Sequence, residues 1–146
     1  MMEVPDEPKK IGDFAVLKSM CMLLQHGYTV LEPRGDNSRY DLVAEAGGKF
    51  CRIQAKSRRH KNGLVRVELR SSSGTKKTHH YYTPEEVDFI VIYCPDNDEV
   101  YWIPMEDIRG HKEVRVRVSS DGFRVNKRTR LGSMYGIDRL RSWFDA

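Results

Sequence analysis

At 146 residues, 39% hydrophobic and 32% charged, the chain has the size and make-up of one globular domain around a single core, with no apolar run long enough to span a membrane. Lysine and arginine outnumber aspartate and glutamate by 25 to 21, a net charge of +4 whose clustering says more than its size. Three widely spaced cysteines, without a CxxC or a Cys/His pairing, exclude a disulfide scaffold and a zinc site; they read as buried free thiols in a soluble, cytoplasmic protein.

Met1 to Lys10 is charged and proline-bearing and lacks an apolar h-region, so residues 1–10 read as a flexible lead-in rather than a secretory signal. Gly12 and Asp13 are expected to open a helix running to about His26. Phe14, Leu17, Met20, Cys21 and Leu24 recur on it at helical spacing, and Gly27 ends it. Tyr28 to Leu31 predicts a short strand, and Pro33 to Ser38 is loop chemistry throughout.

Two strand-like runs, Tyr40 to Ala46 and Lys49 to Ala55, flank Gly47-Gly48, a strong hairpin signal. Leu64 to Arg70 alternates as a half-exposed strand, and Ser71 to Tyr82 is a polar, basic loop. Thr83-Pro84-Glu85-Glu86 has capping-box spacing with proline at the first helical position, which predicts a brief helical turn. Phe89 to Tyr93 is continuously apolar and reads as the central strand, covered on both faces. Strands over Val100 to Ile103 and Glu113 to Val118 bracket a short helical turn at Pro104 to Ile108, and residues 119–146 form a basic C-terminal extension ending in a short helix. The order predicts an α/β (α+β) fold: one domain, residues 1–146, with a mixed central sheet flanked by helices.

The hairpin carries the chemistry. If the two glycines are the central turn residues, Ala46 pairs with Lys49 and Asp41 faces Gln54, with Lys56 two residues further along the same face. Directly opposed Cβ atoms lie roughly 5 Å apart and diagonal neighbours roughly 7 Å. Period-two alternation puts Leu42, Ala44, Cys51, Ile53 and Ala55 on a core face, and Asp41, Glu45, Arg52, Gln54 and Lys56 on the other, with Val43 and Phe50 as apolar exceptions. A carboxylate, an amide oxygen and an ammonium then converge beside an apolar sheet. A carboxylate holds a hard divalent cation by oxygen ligation, and a nearby lysine orients water and offsets charge on a phosphorane, as phosphodiester hydrolysis needs. On residues alone, Asp41 and Lys56 would serve equally as a solvent-facing cross-strand pair.

The basic residues fall in three groups: Lys56 to Lys61; Lys76, Lys77, His79 and His80; and a run from Arg115 to Arg130. Tyr81, Tyr82, Phe123 and Tyr135 are interleaved with them, as in chains that contact a polyanion. Candidate DNA contacts are Arg39, Arg58, Arg59, Lys61, Arg66, Arg70, Lys76, Lys77, Arg115 and Arg117, each also compatible with a solvated surface. Tyr101-Trp102 has the look of a base-stacking pair, though core packing is the better account of Trp102.

The stretch Gly35-Asp36-Asn37-Ser38-Arg39-Tyr40-Asp41-Leu42-Val43, followed by Ile53-Gln54-Ala55-Lys56-Ser57, resembles the PD-(D/E)XK nucleases. In particular it is similar to group I intron-associated homing endonucleases that carry Gln where most relatives have Asp or Glu. The likeness runs from the first helix through Gly27-Tyr28 to Val87-Asp88 and Tyr101 to Pro104, about residues 10 to 110. It implies a restriction-endonuclease-like core with Asp41 as metal ligand, Gln54 at the second acidic position and Lys56 as catalytic lysine. It further implies Mg²⁺ or Mn²⁺ as cofactor, and double-stranded DNA cut by a homo-oligomer (a dimer or tetramer) in a sequence-specific, homing-type reaction. Where such nucleases carry a helix glutamate, this chain has Val16. Asp13, on the same helix face, is either a replacement ligand or a helix N-cap. With Gln54 neutral and Val16 apolar, two alternatives stand beside the endonuclease: a catalytically impaired DNA-binding protein, or a junction-resolving or repair nuclease.

Overall fold

The computed structural model describes residues 7–71, 80–119 and 129–146. Among the described residues, eight strands form two sheets. The larger runs in the order β1-β2-β3-β5-β6, with β1 at Thr29–Leu31, β2 at Leu42–Ala46, β3 at Lys49–Ser57, β5 at Phe89–Cys94 and β6 at Glu99–Pro104. The smaller has the order β4-β7-β8, from Leu64–Glu68, Glu113–Arg117 and Thr129–Leu131. Two helices, α1 at Pro8–Gln25 and α2 at Asp138–Asp145, complete the fold. The β3–β5 pairing is parallel and the other pairings of the large sheet are antiparallel, so the mixed α+β class expected from the element order holds.

The hairpin register is the expected one. Gly47 and Gly48 both take positive φ, 57° and 80°, the type I′ geometry that glycine adopts without steric cost and that matches strand twist. Ala46 therefore pairs with Lys49 and Leu42 with Ile53. Leu42, Ala44, Cys51, Ile53 and Ala55 are buried, as alternation requires, while Phe50 stays exposed.

What the pattern did not foretell is how the two faces of the large sheet are closed. Phe89, Val91 and Tyr93 point with the buried hairpin residues into a core completed by Ala15 and Leu23 of α1 and Leu140 of α2. Ile90, Ile92 and Ile103 point the other way, into a second core shared with Val65, Val67, Val114 and Val116 of the small sheet. Helices thus cover one face and a sheet covers the other. Strand β5 is doubly covered as expected, but the middle position belongs to β3.

Several expectations are corrected. Helix α1 starts at Pro8, a favoured first-turn residue because its missing N–H needs no partner, so residues 8–10 are helical and not part of a lead-in. Its buried stripe is Ala15, Ser19 and Leu23, with the Ser19 hydroxyl donating to Ala15 O at 2.8 Å. Leu17 and Leu24 are 62% and 60% exposed, and Cys21 is exposed, so only Cys51 and Cys94 are buried thiols. The brief helical turn expected at Thr83 is present as a single turn, its Thr83 carbonyl accepting from both Glu86 and Val87 N–H. Strand β8 was not anticipated. Nor does the C-terminal segment hang off as an extension: Tyr135 and Leu140 are core residues, and Tyr135 O accepts the Trp102 N–H at 2.8 Å. Lys49, at the hairpin turn, donates to Trp143 O at 2.9 Å and lies 4.1 Å from that indole, which ties α2 to the sheet. Among the described residues no helix is long and apolar enough to cross a membrane.

Candidate active site

Strand β3 brings the site together. Gln54 and Lys56 share the face of β3 opposite Ile53 and Ala55, and their parallel neighbours on β5 are Ile90 and Ile92 of the second core. Both polar side chains therefore lie at the rim of an apolar layer. Asp41, just before β2, donates its N–H to Ile53 O at 2.9 Å, and its Oδ2 accepts the Ala55 N–H at 3.1 Å. A strand residue's own backbone thus fixes the carboxylate at the end of the hairpin, level with the lysine.

The electrostatics of the pair are those of a partly desolvated site. Burial raises the Asp41 pKa above the usual carboxylate range, against the lowering effects of the Ala55 N–H and the Lys56 ammonium. Burial likewise lowers Lys56 from the ordinary lysine value; Asp41 opposes that shift, and the neighbouring guanidinium groups of Arg58 and Arg39 reinforce it. Lys56 Nζ donates to Arg70 O at 3.1 Å rather than to a carboxylate. The Gln54 amide nitrogen donates to Ala55 O at 3.4 Å, which leaves its carbonyl oxygen, with the second Asp41 oxygen, as hard donors of the kind Mg²⁺ prefers. Among the described residues no three His, Cys, Asp or Glu side chains group as a metal cage. Asp13 is exposed well inside α1, so it is not a helix N-cap; that position is Glu7.

The candidate DNA contacts divide by how fully the protein already uses them. Arg39 donates to Glu86 Oε2 at 3.0 Å and to His80 O at 3.1 Å. Arg59 pairs with Asp96 at 2.8 Å, Arg70 with Glu68, and Arg115 with Glu113 at 2.8 Å, while Arg117 donates to Asn62 O at 2.8 Å. Arg58, Arg59, Lys61 and Arg66 line a depression of about 440 Å³ with Leu64 and Glu68, next to where β3 leaves the site. On the outer face of the small sheet Arg66 stands directly opposite Arg115, and Glu68 opposite Glu113. Like charges so opposed destabilise a sheet, and Glu113, 2.8 Å from Arg115 and 3.8 Å from Arg66, offsets the two cations in part. Lys76, Lys77, His79 and Phe123 lie outside the described residues. Tyr82 and Tyr135 are buried, as are Tyr101 and Trp102, which removes all four as exposed stacking aromatics.

Sequence reasoning missed Asp88 and Tyr82. Asp88 accepts from the backbone N–H of Arg52 and from its Nε and Nη2, while the guanidinium also donates to the Pro84 and Glu85 carbonyls. This fastens the turn before β5 onto β3. Tyr82 packs beneath Lys56 and Arg39. Its place in the basic loop was the only sequence signal, and that signal pointed to exposure.

A mixed sheet whose hairpin end presents an acid, an amide oxygen and a desolvated lysine beside basic residues has the groups that metal-assisted phosphodiester cleavage uses. A family model described as PD-(D/E)XK endonuclease matches residues 6–137, and the chain belongs to that family. It is an endonuclease of a family that works with divalent metal. Among solved structures it is similar to the bacterial homing endonuclease I-Ssp6803I, at 24% sequence identity and a TM-score of 0.75, over 94% of this chain and 93% of that one. A looser likeness joins it to Hjc, a Holliday junction resolvase of the archaeal hyperthermophile Archaeoglobus fulgidus, at 13% identity and a TM-score of 0.47, over 73% of this chain and 83% of that one. No curated protein matches the sequence.

Proposed function

We propose that this endonuclease is of homing type: it cuts duplex DNA at a specific sequence with Mg²⁺, or Mn²⁺, as a cytoplasmic homo-oligomer, either dimer or tetramer. The observation that carries the reading is the Asp41–Lys56 pair, set at one strand end with both groups partly desolvated and no direct ion pair between them. The similarity to a bacterial homing endonuclease along nearly the whole of both chains supports the type, and three free cysteines without a disulfide suit a reducing compartment.

Asp41 and Gln54 would hold the cation, with Asp13 as a further candidate ligand. When bound, the ion supplies the charge that polarises a phosphate and acidifies water. Of the pair Asp41 and Gln54, only Asp41 is a carboxylate, and its hydrogen bond from the Ala55 N–H keeps it oriented. Metal should therefore bind weakly until DNA phosphate adds negative charge. Lys56 orients the attacking water and offsets charge that develops on the phosphorane. Arg39, Arg58, Arg59, Lys61, Arg70, Lys76 and Lys77 grip phosphates, while Arg66, Arg115 and Arg117 on the small sheet supply contacts within a groove. The opposed arginines of that sheet are a local cost that a polyanion relieves.

Incubation with supercoiled plasmid carrying candidate sites, with Mg²⁺ or Mn²⁺, tests the reading. Nicked or linear product is expected, and binding without product would favour the impaired DNA-binding alternative, for which Gln54 and Val16 speak. Preference for branched over linear DNA would make it a junction-resolving enzyme. Arg66→Ala should weaken binding and reduce the salt slope by about 1 if it contacts phosphate, or relax preference at one base pair if it reads a base.

A further inference from the structure

Tyr82 is only 7% exposed, and its backbone N–H donates to Leu69 O at 2.8 Å, so its ring is fixed in the second core at the foot of the site. Two cations meet on it. The Arg39 guanidinium carbon lies 4.3 Å from the ring centroid and the Lys56 ammonium 5.2 Å from it, both within cation–π range. Each also donates to a backbone carbonyl on a different arm of the same closure: Lys56 to Arg70 O at 3.1 Å, and Arg39 to His80 O at 3.1 Å. Those arms are joined by the Arg70–Tyr81 bridge and by the Ser71 N–H, which donates to His80 O at 3.2 Å. Arg39 pairs with Glu86 at 3.0 Å and Lys56 feels the Asp41 carboxylate, so each cation has an acid of its own, yet neither acid accounts for two mutually repelling cations meeting at one point. An aromatic face attracts both.

We propose that Tyr82 is a positioning residue, a shared aromatic platform that holds Lys56 and Arg39 side by side next to Asp41. Lys56 is thereby kept from swinging into solvent, and Arg39 is placed to take a phosphate oxygen next to the one that reacts. The inference rests on the nuclease reading for its chemistry and on the ring geometry alone for its structure.

Tyr82→Phe, which keeps the ring, and Tyr82→Leu, which removes it at similar bulk, separate the platform from the hydroxyl. In ¹³C-lysine-labelled protein, with Lys56→Arg used for assignment, the ε-methylene resonance of Lys56 should lie upfield of the other lysines through the ring current. It should stay there in Tyr82→Phe and return to the common position in Tyr82→Leu. In single-turnover cleavage of bound plasmid, Tyr82→Leu should be slower by about tenfold with DNA affinity within about twofold, while Tyr82→Phe cleaves like the parent. An unshifted Lys56 signal in the parent protein overturns the proposal, as does a shift that survives in Tyr82→Leu, or a Phe variant as slow as the Leu variant. Should Tyr82→Leu fail to fold, the parent and Phe spectra still decide. Absence of cleavage by the parent protein sinks the nuclease reading instead, and the resonance then reports on the platform independently.

Discussion

Two cation–carboxylate pairs flank the same face of β3, and they are built in opposite ways. Arg52 and Asp88 form a closed pair. Both carboxylate oxygens are engaged, the guanidinium reaches two further carbonyls, and burial is matched by hydrogen bonds in every direction. The side-chain bond to Asp88 raises the arginine's proton affinity. Lys56 and Asp41 form an open pair. Each is satisfied by backbone rather than by the other, and burial pushes their pKa values toward each other. A closed pair holds the fold and has little to offer a ligand. An open one keeps unspent electrostatic capacity at a cost in stability, the capacity that the proposed cation and phosphate would use.

The contrast is sharpest under mutation. Lys56→Ala should lower plasmid cleavage by about 10²- to 10³-fold while gel-shift affinity for DNA survives; retained cleavage would remove Lys56 from the mechanism. Arg52→Ala should instead destabilise the fold by about 2 kcal/mol, read by urea unfolding, because it strips hydrogen bonds from a half-buried carboxylate and two carbonyls. Its activity at low temperature should change far less than its midpoint.

Asp41→Asn breaks the comparison on the other side. It should abolish metal-dependent cleavage yet raise stability near neutral pH. The sign follows from the raised native pKa: the folded state holds the proton more tightly than the unfolded chain, so stability falls as pH rises through that interval. The gain in Asp41→Asn is therefore full above the native pKa and vanishes below about pH 4, where both states are protonated. Thermal melts at neutral and acid pH check it, and a variant less stable than the parent at neutral pH would show that the carboxylate is structural. Smallest of all, Lys56→Met should leave the melting midpoint nearly unchanged, since it removes a desolvated charge while Asp41, losing that ammonium's attraction, keeps its hydrogen bond from the Ala55 N–H.

Much of this site was legible in advance because its logic is short-range. A diglycine turn and strict alternation determine which residues of a hairpin share a face, which puts Gln54 and Lys56 together, while their candidate role with Asp41 came from the family resemblance. Helix α1 was less legible. Leu17, Cys21 and Leu24 satisfy a helical period as well as Ala15, Ser19 and Leu23 do, and periodicity alone does not say which apolar stripe meets the sheet. The small sheet was hidden for a related reason: β4 and β7 each alternate correctly, but their pairing spans a long stretch of chain and leaves no local mark. Tyr82 was misjudged because polar neighbours on both sides implied solvent, whereas its backbone bond to Leu69 turns it inward.

By itself, then, the sequence determined the hairpin, its register and the set of groups on its working face, since side-chain alternation and glycine's left-handed freedom act within a few residues. Only the tertiary structure decided which cations are tied up and which are poised, and that Lys56 and Arg39 meet over one buried ring. Those outcomes depend on which distant segment covers each face of the sheet, and on the water that this covering removes.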